Sequence, residues 1–102
     1  MTIKDATTIG TALLPQARKW LRRTSTALDE EISQTVAACL LDMNNAGIVR
    51  IKGDDPLIQQ AVKFYLKAGS GYDDHPERWE AAYERLKAAL ALSSDYNRPG
   101  EE

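Results

Sequence analysis

The stretch DDPLIQQAVKFYLKAG, residues 54–69, decides the fold class. Asp55 is placed to accept a hydrogen bond from the first free N–H groups of a helix, and Pro56 suits a first turn that needs no donor at that position. At 100° per residue, Leu57, Ile58, Ala61, Val62, Phe64, Tyr65, Leu66 and Ala68 spread over about 200° of the wheel, leaving Gln59, Gln60, Lys63 and Lys67 on the remainder. An ordinary surface helix needs a stripe only somewhat wider than about 100°. This helix is therefore expected to sit at the centre of a bundle, or to contact a second molecule as well. Gly69, Ser70 and Gly71 end it.

Upstream, Leu28, Ile32, Val36, Cys39, Leu40 and Met43 repeat as one buried helical stripe. Ser25 or Thr26 is the expected cap of that helix, and Asp29, Glu30 and Glu31 complement its positive end. Gly47, after Asn44, Asn45 and Ala46, is suited to the left-handed residue that closes a helix. Ile48, Val49, Arg50 and Ile51 then read as an extended segment or short strand turning at Gly53. Before all of this a short helix is predicted over residues 15–23. Downstream, a last helix begins near Pro76, with Trp79, Ala82, Tyr83, Leu86, Ala89 and Leu90 on one apolar face, and ends near Ser93.

The expectation is an all-α domain, a small bundle of about four helices with a short extended segment and flexible termini. Residues 1–11 read as a flexible N-terminal arm, 12–93 as the helical domain and 94–102 as a flexible tail. Ile32, Val36, Leu40, Ile58, Val62, Tyr65, Trp79, Tyr83, Leu86 and Leu90 are the expected core.

A chain of 102 residues accommodates one hydrophobic core. Its longest purely apolar run, Val36 to Leu41, is far below the ~18 residues of a membrane span, and its first residues lack a secretory signal pattern. The expected setting is therefore cytoplasmic, without a membrane partner. Net charge is only −2, yet its distribution is uneven. Arg18, Lys19, Arg22 and Arg23 fall in a stretch without an acid; Asp29, Glu30, Glu31 and Asp42 follow in one without a base. Blocks of opposite sign can pair within one chain, pair between copies, or remain a solvated face.

Catalytic chemistry finds little support. The lone histidine, His75, precedes Pro76 and fits a helix start. Cys39 lies in an apolar stripe that disfavours a thiolate. Asp54–Asp55 and Asp73–Asp74 each precede a helix and fit capping. One cysteine and one histidine are too few for a structural zinc site, and Gly69-Ser70-Gly71 lacks the lysine and strand of a phosphate loop. No enzyme activity, metal or cofactor is expected. Arg18, Lys19, Arg22 and Arg23 around Trp20 raise nucleic-acid binding as an alternative, either as a DNA binder or as a small regulatory protein. The shortness of the cluster, the acidic block beside it and the absence of helix-turn-helix spacing weigh against that. An accessory subunit of an enzyme is a third reading.

From Leu28 onward the chain resembles a known family. The residues that carry the resemblance are Leu28 to Ile32, Asn45 to Ile48, Asp54 to Ile58, Ala61 to Ala68, Gly71-Tyr72, Tyr83 to Lys87 and Leu92 to Tyr96. Together they look like the head–tail connector, or head-completion, proteins of tailed bacteriophages; Gly69-Ser70 departs from the more usual polar–aromatic pair. The resemblance implies a non-enzymatic virion protein of the neck, assembled in the host cytoplasm. Its copies would form a ring, a dodecamer in the usual case, between the portal protein and further head-completion or tail proteins, with packaged DNA passing through unread. It further implies that the C-terminal segment, including Asp95, Tyr96, Asn97 and Arg98, meets the portal. A ring needs two different faces to meet, and Arg18, Lys19, Arg22 and Arg23 against Asp29, Glu30 and Glu31 are the expected subunit contacts.

Overall fold

A computed structural model of the chain describes residues 1–99. Five helices follow in order: α1 (Ile3–Ala12), α2 (Leu14–Trp20), α3 (Asp29–Asn45), α4 (Pro56–Gly69) and α5 (Pro76–Leu92). There is no strand among the described residues, so the all-α class holds while the helix count rises from about four to five.

The additional helix occupies the expected N-terminal arm. Thr2 accepts from the Asp5 backbone N–H, and the Asp5 side chain accepts in return from the Thr2 N–H, which closes a capping box. Ala6 and Gly10 are buried, and α1 packs along α3. A Cβ at Gly10 would lie 2.6 Å from the Ser33 carbonyl oxygen, so the two backbones approach as closely as they do because that position has no side chain. Apolar stripes usually announce themselves through large residues; this one is made mainly of small ones. At Leu13 the chain ends α1 and starts α2. Pro15 forces the break, since it has no N–H to offer the Thr11 carbonyl and its ring crowds that turn.

The start of α3 also differs from expectation. Leu28, rather than Ser25 or Thr26, takes the N-cap position without a side-chain cap. Ser25 instead accepts from the Ala27 N–H at 3.1 Å, and the Thr26 carbonyl accepts from Asp29, so both are used in the turn before the helix. Leu28 consequently leaves the buried stripe and is 39% exposed. The far end follows the pattern: Gly47 has φ 104°, and the Ile48 and Gly47 N–H groups reach back to Met43 and Asn44 carbonyls.

Asp55 and Pro56 start α4 as expected, with the Leu57 N–H on Asp55 Oδ1 at 2.8 Å. This helix packs against α2, α3 and α5. Its central place accounts for its broad apolar surface, which therefore gives no independent sign of a second molecule. Ile58, Ala61, Val62 and Leu66 are buried, whereas Leu57 is exposed. Among the other expected core residues, Ile32, Val36, Leu40, Tyr83 and Leu90 are buried, and Tyr65, Trp79 and Leu86 are half-buried. Tyr65 meets Tyr83 edge to face at 5.0 Å between ring centroids, which joins α4 to α5.

Residues 48–51 belong to no helix or strand. Ile48 and Ile51 point inward. The N–H groups of Val49 and Arg50 both donate to the Tyr96 carbonyl, at 2.8 and 3.1 Å. The segment expected as a flexible tail thus folds back onto the domain through Asn97. Tyr96 also donates its hydroxyl to Asp55 Oδ1 at 3.2 Å, and Asn97 Nδ2 donates to the Ala91 carbonyl. The remainder of that tail, residues 100–102, lies outside the described residues.

Candidate interaction surface

The basic sequence block comes to lie at the corner where α2 ends and α3 begins. It does not act as one unit. Arg18 Nη1 donates to Asp29 Oδ2 at 2.6 Å, with each side chain about one quarter exposed. That pair ties α2 to α3 within a single chain. Lys19, Arg22 and Arg23 are exposed, as are Glu30 and Glu31. Glu30 receives a weak hydrogen bond from Gln34 at 3.5 Å. Arg23 and Glu31 border a shallow groove of about 210 Å³ floored by Leu21, Leu28, Ile32 and Leu66. Of the expected basic–acidic contacts, the structure brings together Arg18 and Asp29.

Beside this corner lies a cluster that joins Arg22 and Trp79, expected as a subunit contact and a core residue, to Tyr72 and Lys67, which were not among the expected site residues. Tyr72, in the α4–α5 connection, stands edge to face with Trp79 at 5.9 Å, and Phe64 approaches Trp79 at 6.1 Å. Lys67 Nζ lies 4.3 Å from the Tyr72 ring centre and 4.7 Å from that of Trp79, while the Arg22 guanidinium sits 5.5 Å from Tyr72. Such contacts let cations keep favourable electrostatics near apolar surface. Asp73 holds the loop: Oδ1 accepts from the His75 N–H at 2.9 Å and Oδ2 from Trp79 Nε1 at 3.0 Å. These bonds, the backbone one first, hold its carboxyl below the ordinary value. Arg22, Arg23, Arg78, Tyr72 and Trp79 line the resulting cleft of about 590 Å³. The sequence signal for it was Tyr72 after Gly71, with Lys67 and Trp79 one helical end away on either side; only the loop path joins them.

Cys39, Tyr83 and His75 are each accounted for by packing or pairing. Cys39 is fully buried, and burial pushes its thiol up to about 12, so thiolate is scarce at neutral pH. Tyr83 is held protonated, first by burial and then by neighbouring Cys39 and Asp42. His75 is exposed and 3.4 Å from Glu77. Among the described residues no group of three His, Cys, Asp or Glu side chains is placed to hold a metal ion. No helix among them is long and apolar enough to cross a membrane.

At the C-terminal end, Asp95, Asn97 and Arg98 are exposed and Tyr96 is half-buried. The Asp95 carbonyl accepts from Arg50 Nη1 at 3.4 Å. Burial first, then the bond to Asp55, raises the Tyr96 hydroxyl above its ordinary value.

Fold and surface define a small helical protein with exposed charge of both signs. A protein-family model described as phage connector protein matches residues 13–97, and the chain belongs to that family. No curated protein and no solved structure matches it. Membership supports a structural connector role in a phage particle, in contact with other head or tail proteins.

Proposed function

We propose that this protein forms a ring in the neck of the virion, between the portal and the tail. The ring extends the DNA channel and presents a docking face to the next connector or tail protein. The observation that carries this reading is the family match over residues 13–97. Exposed charge of both signs on a folded domain is consistent with it, because heterologous ring contacts join unlike faces. Lys19, Arg22, Arg23, Glu30 and Glu31 remain the subunit-contact candidates, since Arg18 and Asp29 already engage each other. Asp95, Asn97 and Arg98 remain the portal-contact candidates; Tyr96 serves mainly to anchor the segment that carries them.

Imaging of purified particles tests the reading. Particles containing the protein should show ring-shaped density between portal and tail, absent from particles made without it. A particle that contains the chain with no such density sinks the proposal.

A further inference from the structure

Helix α2 ends in an unusual way. The N–H groups of Arg22 and Arg23 reach back to the Lys19 and Arg18 carbonyls at 3.1 and 2.8 Å, the same closure that ends α3. At α3 the left-handed residue is Gly47 and after α4 it is Gly71; after α2 it is Arg22, with φ 57°. A residue with a Cβ is disfavoured in that conformation. Here the strained position sets a guanidinium over Tyr72, at the mouth of the aromatic cleft.

The cleft is net cationic. Arg22, Arg23 and Arg78 line it against one acid, Asp73, which stays ionised while its two oxygens accept from neutral N–H groups. Lys67 and Arg22 lie against the aromatic rings, which leaves the rings poorly placed as stacking platforms for bases. Arginine forks match carboxylates and phosphates alike in pairs of hydrogen bonds, so the rings and the surface that faces the cleft decide between partners. Rings already covered by cations disfavour base stacking, which points to a protein carboxylate partner.

The chain itself carries a matching surface. On the outer side of α5, Glu77, Glu80 and Glu84 recur at i, i+3 and i+7 beside Ala81 and Ala88, all exposed. Leu92 continues that face at 85% exposure. Glu84 binds Lys87 and Glu77 approaches His75, whereas Glu80 has no ion pair among the described residues. The three acids occupy the half of α5 nearest the α4–α5 connection, so they stand at the same end of the domain as the arginine cleft. A rotation about an axis along the helices can therefore bring one to the other without a step along that axis.

We infer that the arginine cleft of one copy receives the acidic outer face of α5 from the next. This rests on the ring reading and names its interface.

Two measurements on assembled particles test it. In a Cys39→Ala background, Arg23→Cys combined with Glu80→Cys should give a ladder of disulfide-linked multimers, and neither substitution alone should. Reversal of Arg22, Arg23 and Arg78 to glutamate should lower incorporation at least about tenfold, and reversal of Glu77, Glu80 and Glu84 to arginine in the same chain should recover most of it. Circular dichroism of each variant confirms that the domain remains folded. Arg22→Gly adds a separate readout: melting temperature should rise while incorporation falls, whereas a merely structural Arg22 would leave incorporation unchanged. Ring density without a cross-linked ladder would overturn this interface and leave the ring intact; absence of ring density would overturn the ring itself. Duplex binding lost on the arginine reversal, with the ladder undisturbed, would make the cleft a nucleic-acid surface and overturn the inference.

Discussion

Tyr83 on α5 donates its hydroxyl to Asp42 on α3 at 2.6 Å, joining two helices that each pack more extensively against α4 than against each other. Lys87 reaches the same carboxylate oxygen at 2.9 Å and also contacts Glu84 at 3.2 Å. Burial works against the ionised form of Asp42, but the Tyr83 and Lys87 bonds outweigh it and hold the carboxyl below 3.8. Lys87 responds in the opposite sense: burial disfavours its charge, yet Asp42 and Glu84 raise its ammonium above the ordinary value. The network is a polar clamp between α3 and α5.

Tyr83→Phe keeps the buried ring and removes the hydroxyl, so it should cost about 1 kcal/mol, given that Asp42 is partly solvated. Urea unfolding at neutral pH measures this. Because Asp42 has a depressed folded pKa, its contribution is present above the unfolded value of 3.8 and is lost as pH falls through the lower folded one. Lys87 contributes below 10.5 and that part is lost as pH rises through its higher folded pKa. The Phe variant should show a shallower acid loss than the parent; identical curves would remove Asp42 from the account.

Gly10→Ala should destabilise the domain by about 1–3 kcal/mol, because the added methyl meets the Ser33 carbonyl rather than a side chain able to move. Gly69→Ala meets nothing within 4 Å and should be neutral or stabilising by up to about 1 kcal/mol. Thermal melts of the pair check whether α1 is an integral part of the bundle. Equal melting temperatures would mean that α1 does not pack closely on α3.

Truncation after Ser93 should lower the melting temperature, since Val49 and Arg50 lose the Tyr96 carbonyl and Asp55 loses the Tyr96 hydroxyl. Tyr96→Phe removes only the latter and should cost about 0.5–1.5 kcal/mol. Asp55→Ala also removes the α4 cap and should cost about 0.5–2 kcal/mol for the cap alone. A truncated domain as stable as the full chain would show that the turn at Tyr96 adds nothing to folding.

Leu40→Ala, at a fully buried position on α3, should cost about 2–5 kcal/mol. Leu86→Ala should cost less, because Leu86 is only half-buried at the edge of the core. Calorimetry or denaturant melts rank the two. A Leu86 loss equal to that at Leu40 would place Leu86 deeper than described. Cys39 offers an independent check, since its thiol should resist a thiol reagent in the native state and react on unfolding.

The sequence by itself determined the all-α class, the central helix with its Asp55–Pro56 start, the Gly47 stop and most of the buried stripe. Those features depend on a few neighbouring residues: a cap needs one side chain and the next N–H groups, and a stripe needs only helical spacing. Helix α1 was partly legible, since Thr2 and Asp5 form a short-range cap, but its buried face of Ala6 and Gly10 offers little hydrophobic signal until α3 is alongside. The charged surface was less legible still. Arg18 meets Asp29 and Arg22 meets Tyr72 because of the way the chain turns at Leu21 and at Gly71, and a block of bases reads the same whether its members are paired or exposed. Tyr83 and Asp42 stand 41 positions apart, on stripes that periodicity treats separately. Only the packing of α3, α4 and α5 decided that they form a hydrogen bond, because such bonds act over a few ångströms in space whatever the separation along the chain.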